Sequence, residues 1–326
     1  MKNFKRTSTR RQWMALTAAA CAAFSVGAQA QSTWPTKPVT LIVPFPAGGG
    51  TDAFARPFSA QFAKQSGKTL VIDNRGGAGG NLGAGIAAKA APDGYTLFMG
   101  GVHHSIAPSM YPKLDYDLER DFVPLALVAL VPQVLVVNPK KITGDFKSFL
   151  AEIRKNPGKF NYGSAGGGTS HHMAGELFKL QTNTFITHIP YRGAGPALQD
   201  LIGGNVDMMF DGLGSSAQHI KGGKLRGLAV VGKERHPLIP EVPTFTEAGY
   251  GNYEMVYWFG LMAPAGLPPA VLIDLARVEF DDRCAAAAPG TQGGRFEREL
   301  ARAWRHGSTR IHFGVYGGTN LNRLKL

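Results

Sequence analysis

At 326 residues the chain exceeds the roughly 250–300 at which a single hydrophobic core stops growing, so two domains of ordinary size are expected. Apolar residues make up 44% and charged residues 18%, a balance that excludes a disordered chain and a coiled coil. The net charge of +12 is unevenly placed: five positive charges lie in residues 1–31 and a net six in residues 283–326, leaving +1 for residues 32–282, too little for a basic nucleic-acid-binding face.

The first segment accounts for its own charge. Lys2, Lys5, Arg6, Arg10 and Arg11 precede an apolar run from Trp13 to Val26, and Ala28-Gln29-Ala30 supplies a small-x-small cleavage site, the pattern of an export signal cut after Ala30. Thr9-Arg10-Arg11-Gln12-Trp13-Met14 approximates a twin-arginine motif, a pairing that also occurs in Sec signals, so both export routes stay open. Cys21 follows Ala18-Ala19-Ala20 without the leucine of a lipoprotein signal and reads as a packing residue. After cleavage only Cys284 remains, so no intramolecular disulfide is expected in the mature chain. No later run reaches the roughly 18 apolar residues of a membrane span.

From Trp34 onward short β-branched runs alternate with helical patterns, the mark of an α/β fold with largely parallel sheets. Val39–Val43 reads as a buried strand ended by Pro44 and Pro46. Ala47-Gly48-Gly49-Gly50 then forms a loop, and Thr51-Asp52 cap a helix whose Phe54, Phe58 and Phe62 share one face. Leu70–Ile72 is the next strand; the loop Asn74 to Asn81 leads to a small-residue helix ending near Ala91, and a turn at Pro92-Asp93-Gly94 opens the strand Tyr95–Met99. A second block begins near Val134–Val137, with a helix around Phe146 to Arg154. The earlier order then recurs: a strand over Phe160–Ser164, a glycine loop over Ala165–Ser170, and a helix from His171 to Leu180. Strands are expected at Ile186–Ile189, Val206–Phe210, Leu228–Val231 and Tyr253–Leu261, with helices from Pro196 to Ile202 and after Pro269.

Each block thus carries strand, glycine loop and helix in succession. A helix N-terminus offers unpaired N–H groups and about half a positive charge, and small loop residues let an anion approach the backbone. Two such loops are placed to hold one anion from opposite sides. Competing chemistries are poorly supported. Gly67-Lys68-Thr69 has Phe62 where a Walker loop needs its first glycine, and Gly83-Ala84-Gly85-Ile86-Ala87-Ala88 lies within a helical pattern, well past its strand. His103-His104 and His171-His172 are adjacent pairs, and His172 with Glu176 is an i, i+4 pair, which leaves a metal-binding receptor as an alternative. Ser164, Ser170 and His171 lie near one another without a G-x-S-x-G elbow, so no hydrolytic site assembles from spacing.

Five ordered segments, Phe45–Asp52, Asn74–Asn81, Tyr162–Ser170, Pro190–Pro196 and Trp258–Gly266, resemble the Bug proteins, the extracytoplasmic solute receptors of tripartite tricarboxylate transporters. The resemblance covers residues 34–275. It implies a two-lobed periplasmic-binding-protein fold of the Venus-flytrap type, with a ligand cleft between lobe 1 (34–133 plus 255–326) and lobe 2 (134–254), and no enzymatic activity. It further implies a monomeric periplasmic receptor that captures a small carboxylate and delivers it to a membrane permease, without cofactor, metal or nucleic acid. The alternative role is a ligand sensor feeding a membrane kinase. By position, Phe45, Ala47, Gly48 and Asp52 of the first lobe and Ser164, Ala165, Thr169 and Ser170 of the second are the implied ligand-binding residues. His104, Tyr191 and Asp211 join them at the rim or floor. Three features depart from the pattern: His171-His172 in place of one polar residue beside a histidine, Arg192 in place of lysine, and an Arg- and Gly-rich tail after about Leu275 that reads as frame-shifted or otherwise altered.

Overall fold

The computed structural model describes residues 34–251, 253, 255 and 257–276; the export signal and the basic tail lie outside them. The strands β1 (Val39–Val43), β2 (Leu70–Asn74), β3 (Thr96–Gly101) and β4 (Phe122–Leu130) are followed by β5 (Gln133–Val137), β6 (Asn161–Ser164), β7 (Thr187–Pro190), β8 (Met208–Gly212), β9 (Arg226–Val230) and β10 (Trp258–Pro264). Helices α1 (Gly50–Ser66), α2 (Asn81–Ala88) and α3 (Val102–Met110) belong to the first block. α4 (Phe146–Lys155), α5 (Ser170–Thr182), α6 (Ala194–Gly203) and α7 (Leu213–Lys221) belong to the second, and α8 (Pro269–Ala276) follows β10.

The strands form two five-stranded sheets, ordered β2-β1-β3-β10-β4 and β7-β6-β8-β5-β9. In the first, β1 runs parallel to β2 and β3, and β10 runs antiparallel to β3 and β4. The second repeats this plan: β6 is parallel to β7 and β8, and β5 is antiparallel to β8 and β9. In each sheet the fourth position is taken by the strand that has just crossed from the other sheet. The two crossings touch, the Val131 N–H donating to the Tyr257 carbonyl at 2.7 Å, so they form a paired hinge.

Local chemistry explains the elements that frame the cleft. In α1 the expected stripe Phe54, Phe58 and Phe62 is buried, and Gly67 ends the helix at φ +68°, a left-handed conformation natural to glycine. Its N-cap is Gly49, with no side-chain cap, so Thr51 and Asp52 stand inside the first turn and do not cap it as the sequence pattern predicted. α5 is capped by Thr169, whose hydroxyl accepts from the His172 N–H. Three elements have no counterpart in the sequence reading: α3, β4 and α7. α3 is only nine residues long with Pro108 inside it, and α7 is nine residues rich in small polar side chains, so tertiary contacts rather than a long periodic stripe hold them. The expected strand from Tyr253 starts only at Trp258, and the small-residue helix stops at Ala88, three residues early.

Candidate functional site

The first glycine loop leaves β1 at Pro44 and enters α1. Its Gly48 N–H donates to Asp52 Oδ2 at 3.0 Å, and Arg56 Nε donates to the same oxygen at 2.8 Å. Asn74 Nδ2 donates to the Phe45 carbonyl at 2.8 Å. Asp52, 3% exposed, is therefore committed to the loop's own geometry, while Ala47 and Gly48 form an exposed shoulder.

The second loop is tied down by hydroxyls and a histidine pair. Ser164 Oγ lies 2.6 Å from His188 Nε2 and accepts from the Gly166 N–H at 3.0 Å; Thr169 Oγ1 donates to the Gly166 carbonyl at 2.7 Å. Behind it the Gly168 N–H donates to His172 Nδ1 at 3.2 Å, and the His172 and His188 rings stack at 4.1 Å. Burial, followed by the His172 charge, lowers the His188 pKa to about 4, which keeps the ring neutral and suited to a short bond with a hydroxyl.

Glycines let the two halves meet backbone to backbone. A Cβ placed on Gly195 lies 3.0 Å from the Ala47 carbonyl oxygen, one on Gly193 lies 2.7 Å from Pro46 Cδ, and one on Gly79 lies 2.5 Å from the Gly167 carbonyl oxygen. The first loop thus packs on the start of α6, and the loop before α2 packs on the second glycine loop. Tyr111, just past α3, adds a hydroxyl bond to the Gly167 carbonyl at 2.9 Å. The Phe45 side chain enters the second half's core, clustering with Val134, Ala165 and Ala194.

A small pocket remains between these contacts. Gly49, Gly50 and Thr51 line it from the start of α1, Ala165 and His171 from the second loop and the start of α5, and Ala194 from the start of α6; Phe45 and Tyr257 complete it. Three helix N-termini therefore face one space. No lysine or arginine is among these lining residues, which leaves the helix N-termini as the feature there that favours negative charge.

The residues expected from sequence divide into distinct places. Phe45 and Ala165 line the pocket. Ser170 is 1% exposed and its hydroxyl faces the Tyr257 phenol, whereas Asp52, Ser164 and Thr169 shape the loops. His104 is fully buried behind them: Nδ1 accepts from the Gly101 N–H at 3.1 Å, Nε2 lies 3.4 Å from the Gly80 carbonyl, and burial lowers its pKa to about 4. Tyr191 donates to Asp200 Oδ2 at 2.6 Å, away from the pocket lining, and burial raises its hydroxyl to about 12. Asp211, 0% exposed, ends β8 beneath the pocket, accepting from Ser215 Oγ at 2.7 Å and standing 3.3 Å from His171 Nε2. Sequence reasoning did not assign Gly49–Thr51, His171, Ala194 or Tyr257 to the site. His171 carried a signal, as the second member of a polar loop-to-helix junction; Tyr257 carried none, because it arrives from the hinge. Among the described residues no three of His, Cys, Asp and Glu are grouped to hold a metal ion.

The model of the tripartite tricarboxylate transporter family receptor matches residues 54–289. The chain belongs to this family. Its fold is that of a two-lobed periplasmic binding protein, and among the described residues no helix is long and apolar enough to cross a membrane. The periplasmic binding protein BugD is 33% identical, with a TM-score of 0.72 over 82% of this chain and 87% of its own. A Rhodopseudomonas palustris protein solved with adipate is 33% identical, with a TM-score of 0.73 over 85% of this chain and 95% of its own. MatC from Rhodopseudomonas palustris, solved with malate, is 34% identical, with a TM-score of 0.71 over 81% of this chain and 88% of its own. Of the five segments that carried the resemblance, Phe45–Asp52 meets Pro190–Pro196 and Asn74–Asn81 meets Tyr162–Ser170 between the two halves, whereas Trp258–Gly266 supplies β10 of the first sheet.

Proposed function

We propose that the chain is an exported, non-enzymatic receptor that captures a small carboxylate between its lobes and hands it to the permease of a tripartite transporter. The observation that carries this reading is the convergence of the N-termini of α1, α5 and α6 on one pocket with no lysine or arginine in its lining. Backbone N–H groups and helix ends favour an anion. Neutral hydrogen bonds contribute less than bidentate arginine pairs, so the grip is reversible, as delivery to a second protein requires. The adipate and malate bound by two relatives support a carboxylate as cargo.

On this reading residues 34–133 and those from 255, described as far as Ala276, make up the first lobe and residues 134–254 the second, a division supported by the membership of the two sheets. The mature protein acts as a monomer and begins at Gln31. Mass analysis of periplasmic material tests the cleavage, and an intact Met1 or a lipid on Cys21 contradicts it. Thermal melts of purified mature protein with malate, adipate, citrate and benzoate test the cargo class. A carboxylate at 100 times its dissociation constant stabilises the fold by about 2.7 kcal/mol. Unchanged melting with every carboxylate, alongside an intact fold, contradicts the receptor reading.

A further inference from the structure

Behind the pocket lining, the second glycine loop hangs on an imidazole nitrogen. The Gly168 N–H donates to His172 Nδ1 at 3.2 Å. A backbone N–H can only donate, so Nδ1 carries a lone pair and the ring's proton sits on Nε2. That Nε2 stands 3.9 Å from Glu176 Oε1, one turn further along α5. The His188 ring of β7 lies flat on the His172 ring, with centroids 4.1 Å apart and planes 14° apart, and its Nε2 is 2.6 Å from Ser164 Oγ, where the same loop begins. The opposite side of the loop meets the first half of the molecule. A Cβ on Gly168 lies 3.3 Å from Tyr111 Cε2 and 3.4 Å from Met110 Cβ, and the Gly167 carbonyl accepts from the Tyr111 hydroxyl at 2.9 Å. The histidine pair thus holds from behind the backbone that Tyr111 grips from the front.

We propose that His172, stacked on His188, is a positioning residue for ligand retention: it sets the second glycine loop by accepting from Gly168, and it lets that loop go when it takes up a proton. The inference rests on the carboxylate reading of the pocket, whose lining residues Ala165 and His171 flank this loop. An imidazolium has no acceptor, so the Gly168 bond and a proton on Nδ1 exclude each other. Once released, the ring takes its proton at the ordinary histidine value of about 6.5. Fewer protons are bound with the loop held than with it free, so the held form loses ground as the pH falls below about 6.5. A carboxylate is then released faster.

The groups that face the pair agree with this direction. Burial holds the bonded His172 below the ordinary histidine value; on its own helix Glu176 favours the charged ring, and Lys179, bonded to Glu176 at 2.9 and 2.8 Å, opposes it. On β7, His188 is lowered to about 4 by burial and then by the His172 charge, so it stays neutral above about pH 5. On β6, Tyr162 stacks on His188 at 4.9 Å and donates to Glu176 Oε1 at 2.6 Å. Tyr111 faces Gly168 from beyond α3. Burial keeps both phenols protonated, which leaves His172 as the group of this cluster that exchanges its loop bond for a proton between about pH 5 and 7.5.

Stopped-flow release of malate and of adipate from the purified mature protein, between pH 7.5 and 5, tests this. The wild-type release rate rises about tenfold across the range, as expected for a group that titrates near 6.5 only after release. His172→Ala raises the rate at pH 7.5, and His172→Asn reverses much of that rise, because a carboxamide oxygen accepts from Gly168 as Nδ1 does. Neither variant keeps the pH slope. A slope that persists in His172→Asn comes from the ligand or from another group and overturns the proposal, as does a flat wild-type profile. An NMR titration of the ligand-free wild-type protein needs no variant: the Gly168 amide and the His172 ring shift with a common midpoint. An amide that stays still while the ring titrates overturns the proposal. If neither acid binds at pH 7.5 the receptor reading fails, and the Gly168 titration still decides whether a proton on His172 frees the loop.

Discussion

Replacing Gly195 by alanine separates the stability of the second lobe from closure of the cleft. Gly195 sits in the first turn of α6, where alanine is the better helix former by up to about 1 kcal/mol, so the lobe itself tolerates the change. In the closed arrangement the new methyl meets the Ala47 carbonyl oxygen at 3.0 Å and the Gly48 carbonyl carbon at 3.3 Å, a few tenths of an ångström inside ordinary contact. The loop has little room to retreat, because Pro46 already fills the spaces left by Gly76 and Gly193. Overpacking of this kind costs about 1–2 kcal/mol, and it applies to the closed form alone. Two-lobed receptors close by hinge motion around their ligand, so the variant binds a carboxylate about 5- to 30-fold more weakly. Its ligand-free melting temperature stays level or rises. Calorimetry and thermal melts of the ligand-free protein measure the two effects. Unchanged affinity, or a lowered melting temperature without ligand, refutes the assignment of this contact to closure.

Three further outcomes follow from the same geometry. Ser170→Ala weakens carboxylate binding by roughly 0.5–1.5 kcal/mol with little effect on unfolding, whereas Thr169→Ala lowers unfolding stability by about 1 kcal/mol through its lost cap; chemical denaturation beside calorimetry reads the contrast, and the reverse pattern contradicts it. Tyr111→Phe removes the bond to the Gly167 carbonyl and speeds ligand release, with a loss of roughly 0.5–1.5 kcal/mol in affinity, measured by stopped-flow displacement; an unchanged release rate argues against a latch. His104 has its folded-state pKa lowered from 6.5 to about 4 by burial. The unfolded chain therefore binds more protons between those values, and stability falls as pH drops from about 6.5 towards 4, by up to about 3 kcal/mol. Urea unfolding across this range shows the slope, and His104→Asn, compared with wild type, reduces it; an identical slope in the variant removes His104 as its source.

Much of the architecture was legible from local signals. Val39–Val43 and Val134–Val137 are apolar runs bounded by proline or polar turns, and Phe54, Phe58 and Phe62 recur every four residues along a stretch of helical length, which places them on one face of α1. The glycine loops announced close backbone approach, and their order along the chain carried the family resemblance. The nine-residue segments of α3 and α7 were too short to show a clear period, and their stability comes from packing against sheets built from distant residues. The site was legible as loops and not as a pocket. Thr169 and Asp52 were implied as ligand contacts by the resemblance, yet their oxygens serve the Gly166 carbonyl, the His172 N–H, the Gly48 N–H and Arg56.

The sequence alone determined that strand, glycine loop and helix recur in two blocks, since side-chain period and glycine's conformational freedom are local properties. Only the tertiary structure decided which loop meets which: the first glycine loop rests on the start of α6, and the loop before α2 rests on the second glycine loop. It also brought Tyr257 from the hinge and Asp211 from β8 to either side of His171. These residues are separated by 40 or more positions, and no local rule relates them; the crossing of β5 and β10 between the sheets places them around one pocket.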